Sequence, residues 1–312
     1  MPGNVITLIG QLITALIFFG MAIYAVVRQR DLQRTTRNSA LMFYLLIGLS
    51  LVFASINLVL VNNKIFLLPQ TDLMDSIDLV VAFASIIMES VIILLMFSNK
   101  ITMLSRTNPG KVLAIGAHPD DIEIAAGATL SKMHDAGYHI TGLIMTCGEK
   151  GGNGKVRPLE AEAGGDFVGL DEFEILHFSD AHLSDDAAML TQAIETMIDK
   201  IQPDMIFTHS IHDLHQDHQS VYYATMRAAR SLQVTILCYE SPSVTQDFRP
   251  TYYIDVGKYV NVKIFAIKRH WDQKRKRYTK PDLVRGKMAF RGGQVNVDYA
   301  EGFEVVRMLS QI

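Results

Sequence analysis

Cysteine is scarce in this chain: Cys147 and Cys238 lie far apart, with no C-x-x-C spacing. That scarcity excludes a disulfide framework and a thiolate zinc site. A phosphate loop is missing as well, because Gly148, Gly151, Gly152 and Gly154 are not followed by G-K-[ST]. Internal repeats and low-complexity tracts are absent. Charge of either sign is not in excess: the net value is −3, and nucleic acid is not an expected partner.

Charge is nearly absent from three stretches, residues 6–27, 40–61 and 77–98. They hold much of the chain's 49% hydrophobic content. Each is about as long as the roughly 20 residues that cross a bilayer. A cleaved signal peptide would account for the first alone, and its flank lacks the usual basic start. The sequence therefore predicts three transmembrane helices in residues 1–100. Loop cations set their orientation. The first loop carries Arg28, Arg30, Arg34 and Arg37, the second has Lys64 beside Asp72 and Asp75, and Lys100, Arg106 and Lys111 follow the third span. By the positive-inside rule the N-terminus lies outside and everything after the third span is cytoplasmic. Gln11, Asn57 and Glu89 are polar exceptions, expected to serve helix packing or oligomerisation.

Residues 101–110 read as a linker, with Asn108-Pro109-Gly110 as a turn signal. From 111 to 312 short apolar runs alternate with amphipathic segments. Val112–Ile115, Ile140–Met145, Phe173–His177, Met205–Thr208 and Val234–Tyr239 read as strands. Ile124–Ala136, Glu160–Val168, Ala187–Ile201 and Ser220–Ala229 read as helices. This alternation predicts an α/β domain with a Rossmann-like, mostly parallel sheet. Beyond Tyr253 the pattern suggests further strands and then a basic helix.

Two polar clusters stand at the exits of predicted strands, where open α/β sheets place their chemistry. The first is Ala117-His118-Pro119-Asp120-Asp121-Ile122-Glu123. His118 and Asp121 supply two candidate metal ligands, and the neighbouring Asp120 points another way and is free to accept a proton. Glu123 suits the N-terminal charge of the following helix better than a ligand role. The second cluster runs from His209 to His218. One of His215 and His218 would complete a three-ligand site with an open position, and the other would face the reacting carbonyl.

Lys111 to the C-terminus resembles the PIG-L/LmbE-like N-deacetylases, zinc enzymes that remove acetyl groups from N-acetylglucosamine-containing substrates. The resemblance rests on five ordered motifs: Ala117–Glu123, Thr146–Gly151, Arg157–Glu160, Asp213–His218 and Tyr299–Phe303. It implies His118, Asp121 and His218 as zinc ligands, with Fe2+ or another divalent ion as a substitute. It implies Asp120 as the general base, and His215, oriented by Asp217, as the group that stabilises the oxyanion as an imidazolium and protonates the leaving amine. Glu149, Arg157, Asp180 and His270 would contact the substrate, and Gln273 matches the same C-terminal motif as His270. Gln216, His182 and Asp272 depart from the family pattern, and the last two put substrate contacts in doubt.

The expected activity is hydrolysis of an N-acetylated amino sugar, lipid- or nucleotide-linked, at the cytoplasmic membrane face. Membrane lipids and a second copy of the chain are further expected partners. The alternatives are an amidase for another conjugate and a metal-dependent sugar-binding module without turnover. The basic cluster Lys268, Arg269, Lys274, Arg275, Lys276 and Arg277 around Trp271 reads as a solvated helix face or as a contact for anionic headgroups.

Overall fold

The computed structural model describes residues 2–29, 39–65, 72–98 and 110–309. Arg30, Arg34, Arg37, Lys100, Arg106 and all but Gly110 of the expected linker lie outside them. The chain divides into two compact units, Met1–Thr102 and Met103–Ile312.

The first unit contains α1 (Pro2–Val27), α2 (Ser39–Ile65) and α3 (Asp72–Ser98). All three are long and apolar enough to cross a membrane. They meet through Phe18, Ala25, Leu46, Ala54 and Ile92. Polar groups lie between them. Lys64 Nζ stands 2.5 Å from Asp78 Oδ2 and donates to Gln11 Oε1 at 3.2 Å. Gln11 Nε2 donates to Asp78 Oδ1 at 2.9 Å, so one cluster joins all three helices. Asn57 Nδ2 donates to Ser85 Oγ at 3.1 Å. Glu89 Oε1 is buried without a hydrogen bond among the described residues.

The second unit contains β1 (Lys111–Gly116), α4 (Asp121–Asp135), β2 (His139–Thr146), α5 (Arg157–Val168), β3 (Glu172–Phe178), α6 (Ala187–Ile201), β4 (Met205–Thr208), α7 (Gln216–Ala228) and β5 (Thr235–Tyr239). It closes with β6 (Tyr252–Asp255), α8 (Val260–Ile267), two 3-10 turns, α9 (Pro281–Gly293) and β7 (Ala300–Arg307). The strand order is β3-β2-β1-β4-β5-β7-β6. The first five are parallel, and β7 runs antiparallel to both β5 and β6.

Sequence accounts for this layering. β1 and β2 are buried from their second residue onward and β5 throughout, as strands covered by helices on both faces must be. Leu190, Ile194, Met197, Ile198 and Ile201 form the buried stripe of α6, at helical spacing. Gly169, at φ 99°, caps the C-terminus of α5 in the left-handed region.

Helix starts differ from the sequence reading. α4 begins at Asp121 and α7 at Gln216, each a turn earlier than the apolar period indicates. Their first turns hold polar residues, which leave no hydrophobic signature but suit a helix N-terminus. Past Tyr253, Val260–Ile267 is a helix, not a strand. It is apolar on nearly every side because it packs against both α4 and α5, so tertiary burial overrides its β-branched composition. The basic run that follows forms 3-10 turns instead of a helix.

Candidate active site

Parallel strands deliver one cluster of polar residues at their C-terminal ends. β1 and β4 are neighbours at the point where strand order reverses, the usual crevice of such sheets. His118, Asp120 and Asp121 follow β1, and His209 to His218 follow β4. Asp180 arrives after β3 and Ser241 after β5. At φ 124° Asp120 is a non-glycine residue in a sparsely allowed region, a strain that ordered surroundings must hold in place.

Four donor atoms of three residues converge, both carboxylate oxygens of Asp121 among them. His118 Nδ1 lies 3.4 Å from Asp121 Oδ2 and 3.3 Å from His218 Nε2. His218 Nε2 lies 3.4 Å from Asp121 Oδ1. Nitrogen and oxygen ligands at about 2.0–2.1 Å around a tetrahedral ion sit roughly 3.3–3.4 Å apart. The far side of each imidazole is held as metal ligands require. His118 Nε2 stands 3.1 Å from Asp180 Oδ1 and 3.3 Å from Asp217 Oδ2. His218 Nδ1 stands 2.8 Å from Asp213 Oδ2, which also accepts from Ser241 Oγ.

Electrostatics ask for a cation at the same place. Five carboxylates, Asp120, Asp121, Asp180, Asp213 and Asp217, surround it, and all are buried. Burial disfavours charge on His118, yet Asp121, Asp180 and Asp217 hold its imidazole well above the ordinary value. Against its burial, Asp121 and Asp213 push His218 up to about 9. Hydrogen bonds from His118 and the Lys150 N–H overcome burial and hold Asp180 at about 2. A divalent ion would supply the charge that protons otherwise bring, so the residues present fit a metal.

Asp120 differs from these carboxylates. Its Oδ1 accepts from Arg157 NH2 at 3.2 Å, and its Oδ2 is buried with no hydrogen bond. Burial and the charge of Asp121 push it up to about 6, against the pull of Arg157. The cleft in front of it, about 430 Å³, is lined among others by His118, Asp121, His215 and His218.

The remaining expected residues divide. Asp180 lines the cleft, and its carboxylate is engaged by His118 and the Lys150 N–H. Arg157 also reaches the cleft but is 4% exposed, and it donates to Gly148 O at 2.6 Å and Pro119 O at 2.9 Å. It braces the turn that carries Asp120. Gly148, at φ 66°, lies so close that a Cβ there would collide with the guanidinium. Glu149 lies outside the cleft, in an adjoining hollow with Cys147 and His177, and accepts from the Asp180 N–H. His270 does not reach the cleft: 1% exposed, it pairs with the buried Glu123 at 3.1 Å. Glu123 thus stands in the first turn of α4, as expected, with its carboxylate facing the interior.

Asp217 corrects the sequence reading. Its carboxylate turns to His118 and to the N–H groups of Ala181 and Leu183, and does not orient His215. His215 caps α7 instead, its Nδ1 accepting from the Asp217 N–H at 3.3 Å. The proton therefore sits on Nε2. Burial and the charges of His218 and His118 push this imidazole down.

Sequence reasoning passed over His209, Asp213 and Tyr278. His209 stacks on His218 at 3.8 Å with its Nε2 3.2 Å from Asp121 Oδ2. Burial and the His218 charge lower it to about 4. Its place immediately after β4, matching the first cluster after β1, was a usable signal. Asp213 opens the Asp213–His218 motif, whose spacing alone assigns it no role. Tyr278 joins Gln273 and Lys276 on one wall of the cleft, and no sequence pattern announces it.

Residues 113–229 match the family model described as PIG-L, GlcNAc-PI de-N-acetylase. The chain is 37% identical over 176 residues to the uncharacterized deacetylase YaiS of Escherichia coli, spanning 54% of this chain and 95% of that protein. The chain belongs to the PIG-L family. Its fold is shared with the N,N'-diacetylchitobiose deacetylase of Pyrococcus horikoshii (TM-score 0.56, 22% identity, 64% of this chain and 84% of that one). GalB, the 4-carboxy-2-hydroxymuconate hydratase of Pseudomonas putida, shares it too (TM-score 0.53, 20% identity, 65% and 99%). One fold thus carries different reactions, and the site must decide between them. The PIG-L match takes in both polar clusters and ends before Gln273, Lys276 and Tyr278.

Proposed function

We propose that this protein is a membrane-anchored, metal-dependent N-deacetylase that hydrolyses the N-acetyl group of an N-acetylglucosamine-type substrate, releasing acetate and a free amine. One observation carries the reading. His118 Nδ1 and His218 Nε2 lie 3.3 Å apart and each 3.4 Å from one oxygen of Asp121, beside the unpartnered oxygen of Asp120 in an open cleft. Those three residues would hold the ion, zinc by the chemistry of the donor set. When bound, the ion polarises the amide carbonyl and makes water at the site more acidic.

The rest is done by the chain. Asp120 Oδ2 accepts the proton of the attacking water, with an affinity suited to proton transfer near neutrality. Arg157 keeps Asp120 aimed while occupying its other oxygen. His215 donates its Nε2–H to the oxygen of the collapsing amide, and such a donor contributes roughly 3–4 kcal/mol. As the C–N bond breaks, the amine takes a proton, which Asp120 can return from the one it accepted. Asp180, Asp213 and Asp217 hold the metal ligands in place from behind.

We place the α/β unit, residues 111–312, on the cytoplasmic side of a three-helix anchor and linker spanning residues 1–110. The support is the excess of arginine between α1 and α2. A tethered enzyme suits a substrate borne on a lipid, with a nucleotide-diphosphate carrier as the alternative. The test is acetate release by the purified full-length protein from a panel of soluble and lipid-linked N-acetylated sugars, with and without chelator. Release from another amide conjugate alone would favour the amidase alternative. No release with metal bound would leave a sugar-binding module. Labelling of an engineered cysteine at Asn153 by an impermeant reagent in intact cells would overturn the orientation.

A further inference from the structure

The segment from Lys268 to Lys280 is built unlike any other edge of the α/β unit. Two buried polar side chains pin it from inside: His270 pairs with Glu123, and Gln273 Nε2 donates to Gly151 O at 3.3 Å. Within the segment, the buried Thr279 Oγ1 donates to Lys276 O at 2.9 Å. Two 3-10 turns, Trp271–Gln273 and Arg277–Thr279, keep the backbone compact. What faces outward is uniform in character. Lys268, Arg269, Lys274, Arg275, Lys276 and Arg277 are all exposed, against Asp272 as the single carboxylate among them.

Trp271 stands in the middle of this charge, 67% exposed. Lys274 Nζ lies 3.4 Å from its ring centroid, which keeps an indole and an ammonium side by side at the surface. A large aromatic left in water has no folding advantage. Indole rings with a polar tip favour the headgroup level of a bilayer, and neighbouring lysine and arginine favour anionic lipid. The same segment also forms a wall of the catalytic cleft through Gln273, Lys276 and Tyr278.

We infer that the Trp271 segment is a membrane-docking edge that seats in anionic lipid headgroups and presents the mouth of the cleft at headgroup level. The inference rests on the reading of α1–α3 as membrane spans, which would tether the α/β unit to a bilayer. It deepens the proposed function by making the substrate one whose acetylated sugar lies within the headgroup layer, delivered along the membrane and not from bulk water. A docked edge also explains the two anchors: headgroup contact positions the cleft only if the segment is rigidly tied to the unit that contains it.

Trp271 is the chain's single tryptophan, so its fluorescence reports this edge alone. The experiment uses the full-length protein in vesicles of phosphatidylcholine, with or without phosphatidylglycerol. Anionic vesicles should shift Trp271 emission to shorter wavelength and bring it within reach of lipid-borne bromine quenchers, and high salt should reverse both effects. Lys274→Glu with Arg275→Glu should weaken the response on the order of tenfold or more. Identical emission and quenching in the two lipid compositions would overturn the inference. So would an equal shift produced by inorganic phosphate in neutral vesicles, which would assign the cations to a soluble anion. Acetate release from a water-soluble N-acetylated sugar, followed in parallel, reports the deacetylase reading separately from the docking.

Discussion

The two units of this chain bury opposite things. In the α/β unit the strand interiors are apolar and sealed, and Val112, Leu113, Ala114 and Ile115 are fully buried. In the helical unit comparable side chains face outward, with Leu94 68% and Val80 66% exposed, while Gln11, Asn57 and Ser85 lie inside. Water drives the first arrangement, and the bilayer proposed around the three helices would permit the second. Polar groups are internal in both, with different consequences. Between α1, α2 and α3, Gln11, Lys64 and Asp78 satisfy one another, as do Asn57 and Ser85, and they fasten helices. At the strand ends they are aimed at a common point and left incomplete, and chemistry follows from that incompleteness.

Metal removal should break this contrast most completely. Chelation should abolish acetate release, restored by zinc, and should lower the melting temperature of the α/β unit, since an ion bound only by the folded state stabilises it. The helical unit should melt unchanged. Calorimetry of the full-length protein in detergent follows both. Equal melting with and without metal would contradict the ligand assignment. Next in size comes Asp120→Asn, which should keep stoichiometric metal but lose turnover by roughly 10²–10⁴-fold, as expected for a general base. Metal content by elemental analysis, measured beside activity, separates this from loss of a ligand.

How far the site could be read from sequence follows from the same contrast. His118, Asp120 and Asp121 stood out because they lie just beyond an apolar strand, and period-two and period-3.6 patterns are local. Position alone left His215 and His218 as alternatives, and only the family resemblance chose between them. Partners across the sheet did not stand out. Asp217 holds His118 from the first turn of α7, and Arg157 reaches back to the turn at Pro119. Those contacts depend on β1 lying beside β4 and β2, a non-local fact. The start of α7 at Gln216 hid for a different reason: its first turn is polar, so hydrophobic spacing begins late. That shift made His215 a helix cap and turned Asp217 away from it. The parallel sheet, by contrast, was announced by strand–helix alternation, and its antiparallel edge of β7 and β6 was not.

The inner ring of carboxylates gives a smaller, graded effect. Asp213→Asn leaves the shape of the site but weakens the charge that fixes the His218 proton on Nδ1. Metal affinity should fall about 10–100-fold, the usual scale for a group behind a ligating histidine. Asp217→Asn should act similarly through His118. Competition titration with a zinc indicator measures both. If Asp217 oriented His215 instead, its variant would lower turnover with metal affinity intact.

The smallest effect belongs to the helical unit, and there the sign is informative. Lys64 and Asp78 pair at 2.5 Å with Gln11 beside them, and nothing in that cluster waits for a ligand. Lys64→Met removes one partner and strands the other, and should destabilise the helices by about 1–2 kcal/mol. Adding Asp78→Leu removes the stranded charge and should recover most of the loss, because a paired buried charge and an apolar pair of similar size are nearly equivalent in stability. Acetate release from a soluble substrate should stay constant in both. A cluster that carried function would behave otherwise: the double variant would be stable yet impaired. That outcome would move the line between fastening and chemistry from the strand ends into the membrane.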